Sequence, residues 1–237
     1  MASIQPRPVS GLHLATLHYT TLGQRVATGL RNEIIENRLP AGTKITESEL
    51  SQTLNVSRTV VREAITILVQ EGLVDKAPNR YTKVASYTPK DIQEIFDLRG
   101  ALEMAGARVC IDQDDIVERL VRREQKMLEI NRQQQIDRLA FVYADMEFHT
   151  LIVSAADNSR LLDAWNKILS PLLRLVYGYV RTCTEESPLG VVTYDHGKII
   201  RAFASRDYDL AARTLLEHTV IMRNILLQTH RDPGGKK

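Results

Sequence analysis

Residues 46–74 read TESELSQTLNVSRTVVREAITILVQEGLV, and two helices joined by a tight turn follow from that stretch alone. Thr46 and Glu49 have the spacing of a capping box, in which the threonine oxygen accepts a backbone N–H and the glutamate reaches back to the cap. Leu50 and Leu54 follow one turn apart, so a short helix should end near Asn55. Ser57 caps the next helix, whose stripe of Val61, Ala64, Ile65 and Leu68 has the i, i+3, i+4, i+7 spacing of one buried face. Gly72 ends it.

Upstream, Leu22, Val26, Leu30 and Ile34 recur every fourth residue until Leu39-Pro40-Ala41-Gly42 breaks the pattern. Downstream, residues 73–76 and 81–84 can pair as two short strands across Ala77-Pro78-Asn79-Arg80. Three helices followed by a small hairpin describe a winged helix-turn-helix. The outer face of the third helix is left with Ser57, Arg58, Thr59, Arg62 and Thr66. Arginine can offer a bidentate fork to guanine, and threonine can bond a phosphate or touch a thymine methyl. The same spacing also describes a plain solvated face; the flanking helix, turn and hairpin favour DNA.

A new helix start is written at Thr88-Pro89-Lys90-Asp91, with threonine as cap, proline at the first turn and an early acid. Beyond it every strong pattern is helical, with expected spans of 89–110, 113–132, 136–156, 159–181, 192–205 and 208–229. The fold class is therefore mainly α, an N-terminal winged helix-turn-helix followed by a C-terminal all-α antiparallel helical bundle. The expected boundaries are a tail over residues 1–20, the DNA-binding head over 21–87, the bundle over 88–230 and a short tail over 231–237.

Composition agrees with a folded chain in water: 43% of the 237 residues are hydrophobic and 25% charged, enough apolar material for a real core. Net charge is only +2, with nine basic against seven acidic residues in 21–83. DNA binding must then come from placed side chains more than from bulk field. Cys110 and Cys183 match neither a disulfide framework nor a Cys-x-x-Cys metal site, and the longest charge-free run, 8–24, is too polar to span a bilayer. The expectation is a cytoplasmic protein without a membrane partner.

The anomaly lies in residues 141–153, FVYADMEFHTLIV, where Asp145 and His149 fall one turn apart in the middle of the apolar stripe. His196 shares a stripe with Val192, Ile199, Ile200 and Phe203, and His218 shares one with Ala211, Leu215, Ile221 and Met222. A buried carboxylate without a partner costs several kcal/mol. One divalent transition ion would satisfy Asp145, His149, His196 and His218 together, with zinc favoured and nickel or manganese as alternatives. Taken singly, each histidine has the commoner explanation of a core imidazole bonded to a carbonyl, and the Asp145/His149 pair that of a buried hydrogen bond. Arg99 also falls on an apolar stripe, with Glu103 one turn later. It either pairs with Glu103 at a partly exposed edge or clamps the carboxylate of a ligand. Arg174, Tyr177, Tyr179 and Arg181 are candidates for pocket lining or a dimer surface.

Residues 46–74 resemble the DNA-binding signature of the GntR superfamily, and the likeness runs from about Leu22 to Val84. It implies DNA contacts from Arg58, Thr59 and Arg62, with Ser57 at the helix start. Val60 stands where the family usually has proline, and Tyr81 where it has the wing-tip glycine; Arg80 is the residue left to enter a narrow minor groove. Asp-x-x-x-His followed by two histidines on later helices is similar to the FCD-type effector domain of FadR-like members, over roughly residues 88–229. That resemblance implies a regulator, not an enzyme, working as a homodimer on double-stranded operator DNA. It also implies a small organic acid as effector, held by the metal and by Arg99. The rivals are a metal-dependent enzyme, for which no further carboxylate stands in an evident general-base position, and a direct metal sensor.

Overall fold

Described in a computed structural model are residues 20–77, 81–183 and 196–231. The head is built from α1 (Leu22–Ile35), α2 (Glu47–Leu54), α3 (Arg58–Gln70) and an antiparallel hairpin of β1 (Val74–Ala77) and β2 (Tyr81–Val84). Thr21 and Ser57 cap α1 and α3 through their hydroxyls, and Asn55 turns the chain between α2 and α3 in the left-handed region at φ 51°. Thr46 accepts from the Glu49 amide as expected, but the Glu49 carboxylate reaches the Thr46 hydroxyl and not the cap N–H. Leu54 is exposed, so α2 buries less than its spacing suggested.

Val61, Ala64, Ile65 and Leu68 of α3 are buried with Ala27, Leu30 and Ile34 of α1 and with Leu73, Val74 and Val84 of the hairpin. Gly72, at φ 74°, lets the chain leave α3 for β1 in a conformation that an L side chain rarely adopts. The hairpin register pairs Val74 with Val84 and Ala77 with Tyr81, one residue later for β1 than the sequence pattern placed it. A bridge from Lys44 to Lys83 ties the approach to α2 onto the wing.

The second domain comprises α4 (Pro89–Cys110), α5 (Ile116–Asn131), α6 (Arg138–Ser154), α7 (Ser159–Val180), α8 (His196–Ala204) and α9 (Tyr208–Arg231). The expected helices are all present in order, although α5 and α6 start two or three residues later than the pattern implied. The Asn158 side chain caps α7 by accepting from the amides of Arg160 and Leu161. Ile221, expected inside, is 42% exposed. The α4/α6 contact is close: a Cβ on Gly106 would lie 2.6 Å from the Ile152 carbonyl oxygen and 2.9 Å from the Val153 Cα. Glycine is required there to let α4 and α6 touch backbone to backbone. No described helix is long and apolar enough to cross a membrane.

Head and bundle are docked. Ile35 at the end of α1 is buried in the bundle's core cluster. Tyr143 of α6 donates to Asn32 Oδ1 of α1 at 2.9 Å, and Ser170 of α7 donates to Glu71 at 3.1 Å. Glu71 is held in turn by the fork of Arg31 at 2.6–2.7 Å. Arg174 donates to the Ala85 carbonyl at 2.6 Å and lies over the ring of Tyr87. Arg174 thus links the two domains.

Candidate metal centre and DNA-reading face

α6 is started by Asp137, whose carboxylate accepts from the Ala140 amide at 2.9 Å. Two turns on, Asp145 and His149 point inward from one face, 2% and 0% exposed. α8 contributes His196 at its first described residue and α9 contributes His218, both buried. The three imidazole rings form a triangle with every centroid pair 5.0 Å apart, and each offers a nitrogen within 4.8 Å of the others. The His196 and His149 Nε2 atoms are 3.1 Å apart, and Asp145 Oδ1 lies 3.4 Å and 3.9 Å from them. Phe148 stacks on His196 at 4.3 Å and closes one side.

Burial sets the electrostatics. Desolvation pushes the Asp145 carboxyl up to about 7; Arg99 opposes this and Glu103 adds to it. Desolvation also holds all three imidazoles well below their usual value; Arg99 acts the same way on each, and neighbouring rings do so on His196 and His218. The imidazoles are therefore neutral and able to donate lone pairs. Asp145 Oδ1 has no hydrogen-bond partner among the described residues, an expensive condition for a buried carboxyl oxygen. Donors bound at about 2.0–2.2 Å to one ion stand roughly 3–3.5 Å apart. Two of the three separations meet that spacing and the third lies slightly beyond it; the three imidazoles, whose nitrogens gather within 4.8 Å, fit a divalent transition ion, and Asp145 stands outside that group, beside His196 and His149.

Arg99 and Glu103 are not at a partly exposed edge. They are 1% and 0% exposed beside the cluster, with Arg99 Nε donating to Glu103 Oε1 at 2.9 Å. Arg99 Nη2 and Glu103 Oε2 have no hydrogen-bond partner among the described residues. A further carboxylate therefore stands beside the cluster, behind the His149 ring. Glu103 Oε1 lies 3.1 Å from His149 Nδ1, on the far edge of the ring from Nε2. Reading Glu103 only as the i+4 partner of Arg99 missed this, because the contact crosses from α4 to α6. Thr219 was also missed; it is buried with its hydroxyl unpartnered, and a threonine next to His218 carries no distinguishing pattern.

On the head, Ser57, Arg58, Thr59 and Arg62 are all exposed on one side of α3. Arg58 reaches Ser48 at 3.2 Å, and Arg62 pairs with Glu47 of α2 at 2.7 Å. Glu47 also faces Lys76 of the hairpin at 3.6 Å. Arg80 lies outside the described residues.

A winged helix-turn-helix head joined to a helical bundle is the fold, and comparison with known proteins gives the family. Residues 22–84 match the model for bacterial regulatory proteins of the gntR family, and residues 94–220 match the FCD domain. The chain belongs to the GntR family and is a transcriptional regulator of the GntR/FCD type. It is 30% identical over 200 residues to a "Probable D-xylose utilization operon transcriptional repressor" of Paenarthrobacter nicotinovorans, covering 84% of this chain and 86% of that one. It is 29% identical over 204 residues to the gluconate operon transcriptional repressor of Bacillus subtilis, covering 84% and 82%. Among solved structures, a GntR regulator from Rhodococcus sp. RHA1 superposes with a TM-score of 0.70 at 24% identity, over 88% of this chain and 99% of the other. E. coli McbR/YncC gives 0.73 at 17% identity, over 90% and 100%.

Proposed function

We propose that this chain is a FadR-type repressor that binds double-stranded operator DNA as a homodimer and releases it when a small carboxylate binds at a divalent metal in the bundle. The observation that carries the reading is the triangle of buried neutral imidazoles with the unpartnered Asp145 Oδ1 at its edge. Asp145, His149, His196 and His218 would hold the ion, with zinc favoured and nickel or manganese as alternatives. Bound there, the ion supplies a Lewis-acidic position to which an acid's oxygen can bind.

Charge supports an anionic effector. A divalent cation and Arg99 bring three formal positive charges; the carboxylates of Asp145 and Glu103 return two. One positive charge is left over in a site closed to water, which a monoanion would neutralise. Arg99 Nη2, buried and without a partner while Nε is engaged, is the donor available to that anion. This favours an organic acid over a pure metal sensor, which would need no such donor. The names of two relatives point to operons for gluconate and D-xylose, so sugar acids are the first class to try. An enzyme is disfavoured by Glu103, which faces the back of the His149 ring and is held there by Arg99, away from the ion-facing nitrogens.

On the head, Ser57, Arg58, Thr59 and Arg62 would meet the major groove, with Arg80 of the wing entering the minor groove. One recognition helix makes few base contacts, so two heads on a pseudo-palindromic site are needed for useful affinity. α6 supplies a physical link between the two functions: Asp145 and His149 follow Tyr143 by two and six residues, and Tyr143 bonds the head at Asn32.

Elemental analysis with native mass spectrometry, followed by anisotropy titration on an operator selected from a random duplex library, tests the whole reading. One divalent ion per chain, a dimer, and weakened DNA binding on adding D-gluconate or a related sugar acid are expected. A chain without stoichiometric metal, or catalytic consumption of the acid, would overturn it.

A further inference from the structure

The geometry points to Glu103 as the positioning residue of the metal centre, and to Arg99 as the group that holds Glu103 in that role; the inference rests on the metal reading above. A buried glutamate needs a reason to be there. Its Oε1 faces two groups at once, Arg99 Nε at 2.9 Å and His149 Nδ1 at 3.1 Å, while its other oxygen has no partner. The opposite nitrogen of the same ring, His149 Nε2, faces His196 Nε2 at 3.1 Å and Asp145 at 3.9 Å.

The ring therefore has a carboxylate behind it and the donor cluster in front. An imidazole can ligate through Nε2 only if its proton is on Nδ1, and an acceptor at Nδ1 selects that tautomer. The alternative tautomer would place a proton between His149 and His196 and a lone pair against the Glu103 oxygen. His149 Nδ1 does not make an aligned hydrogen bond in this structure; a small ring rotation at a 3.1 Å separation completes it. His196 has no such support, since its Nδ1 lacks a partner among the described residues. Among the described residues a carboxylate therefore stands behind Nδ1 of His149, the imidazole that shares α6 with Asp145, and not behind that of His196.

Arg99 completes the arrangement. Without its guanidinium a second buried carboxylate would sit beside Asp145 uncompensated. The pair is on one face of α4 at i, i+4, and Gly106 lets α4 approach α6 closely enough for Glu103 to reach His149.

The test is Glu103→Gln in the full-length protein, with Zn²⁺ affinity by chelator competition, Co²⁺ absorption in the visible range, and long-range ¹⁵N–¹H spectra of the imidazoles. Removing a carboxylate of this kind costs about 10–100-fold in metal affinity. The expected result is that loss, a changed Co²⁺ spectrum, and loss of the protected Nδ1–H resonance of His149 seen in zinc-loaded wild type. If Glu103→Gln does not fold, the double variant Arg99→Met/Glu103→Leu removes the charges together and should keep the fold while still losing at least tenfold in Zn²⁺ affinity. Wild-type affinity within threefold in the folded variant, or a zinc-loaded wild type whose His149 is protonated on Nε2, would overturn the assignment. Wild type that binds neither Zn²⁺ nor Co²⁺ would instead remove the metal reading on which it rests.

Discussion

Acidifying the metal-free protein should unfold the bundle by an amount set by the buried cluster. The three imidazoles have folded-state values well below the ordinary one, so only the unfolded chain takes up their protons as pH falls through about 6.5. Each then costs up to about 1.4 kcal/mol of stability per pH unit. Asp145 works in the opposite sense: its carboxyl, raised to about 7, is protonated in the folded chain long before the unfolded one, so acidification relieves its strain down to about pH 4. Between pH 7 and pH 5 the imidazoles together remove up to about 6 kcal/mol and Asp145 returns about 2 kcal/mol, a net loss of up to about 4 kcal/mol. That is a large share of an ordinary domain's stability. Trp165, the single tryptophan, is buried in α7 and bonds Thr150 of α6 at 2.8 Å, so its fluorescence in urea reports the bundle and not the head. Asp145→Asn removes the compensating group and should make the chelated protein more stable at pH 7 yet more acid-sensitive. Stability that is flat or rising from pH 7 to pH 5 in the chelated wild type would refute the claim that these imidazoles are buried and neutral.

Other perturbations separate the modules. Gly106→Ala should cost about 1–3 kcal/mol through overpacking against the α6 backbone and should lower Zn²⁺ affinity as well, measured by urea melts and chelator competition. Arg62→Ala should weaken operator binding by about 1–3 kcal/mol while leaving metal content unchanged, as read by anisotropy and elemental analysis. His196→Ala should do the reverse, losing bound metal while the head keeps its fold. Tyr143→Phe removes one hydrogen bond between bundle and head, about 0.5–1.5 kcal/mol, and should raise hydrogen exchange along α1 without changing Zn²⁺ affinity.

Periodicity made the helices legible because each buries one stripe. Val61, Ala64, Ile65 and Leu68 announced α3 and all four are buried. The same logic exposed the cluster: polar residues on apolar stripes stand out against what surrounds them, and Asp145, His149, His196 and His218 do lie inside. What stayed hidden depends on contacts between helices. Glu103 had an adequate local partner in Arg99, so nothing in α4 alone signalled its approach to His149. Arg174 looked like any basic residue on a late helix, and its bond to the Ala85 carbonyl depends on how α7 crosses the linker. Ile221 misled because a broad apolar stripe on α9 is wider than the face the bundle covers.

The docking contacts also limit how a ligand could act through this fold. Shifting a two-state equilibrium from mostly one form to mostly the other takes about 5.5 kcal/mol of differential affinity. The Tyr143–Asn32 bond alone supplies about 1 kcal/mol, far too little. Ser170–Glu71 and Arg174–Ala85 join the same two domains from α7, and Ile35 is buried in the bundle's core. A binding event at the α6 cluster can therefore control the head only if these contacts change together. That requires the head to move as a body on the α6/α7 surface, because bending α1 locally would break one contact and leave the others holding.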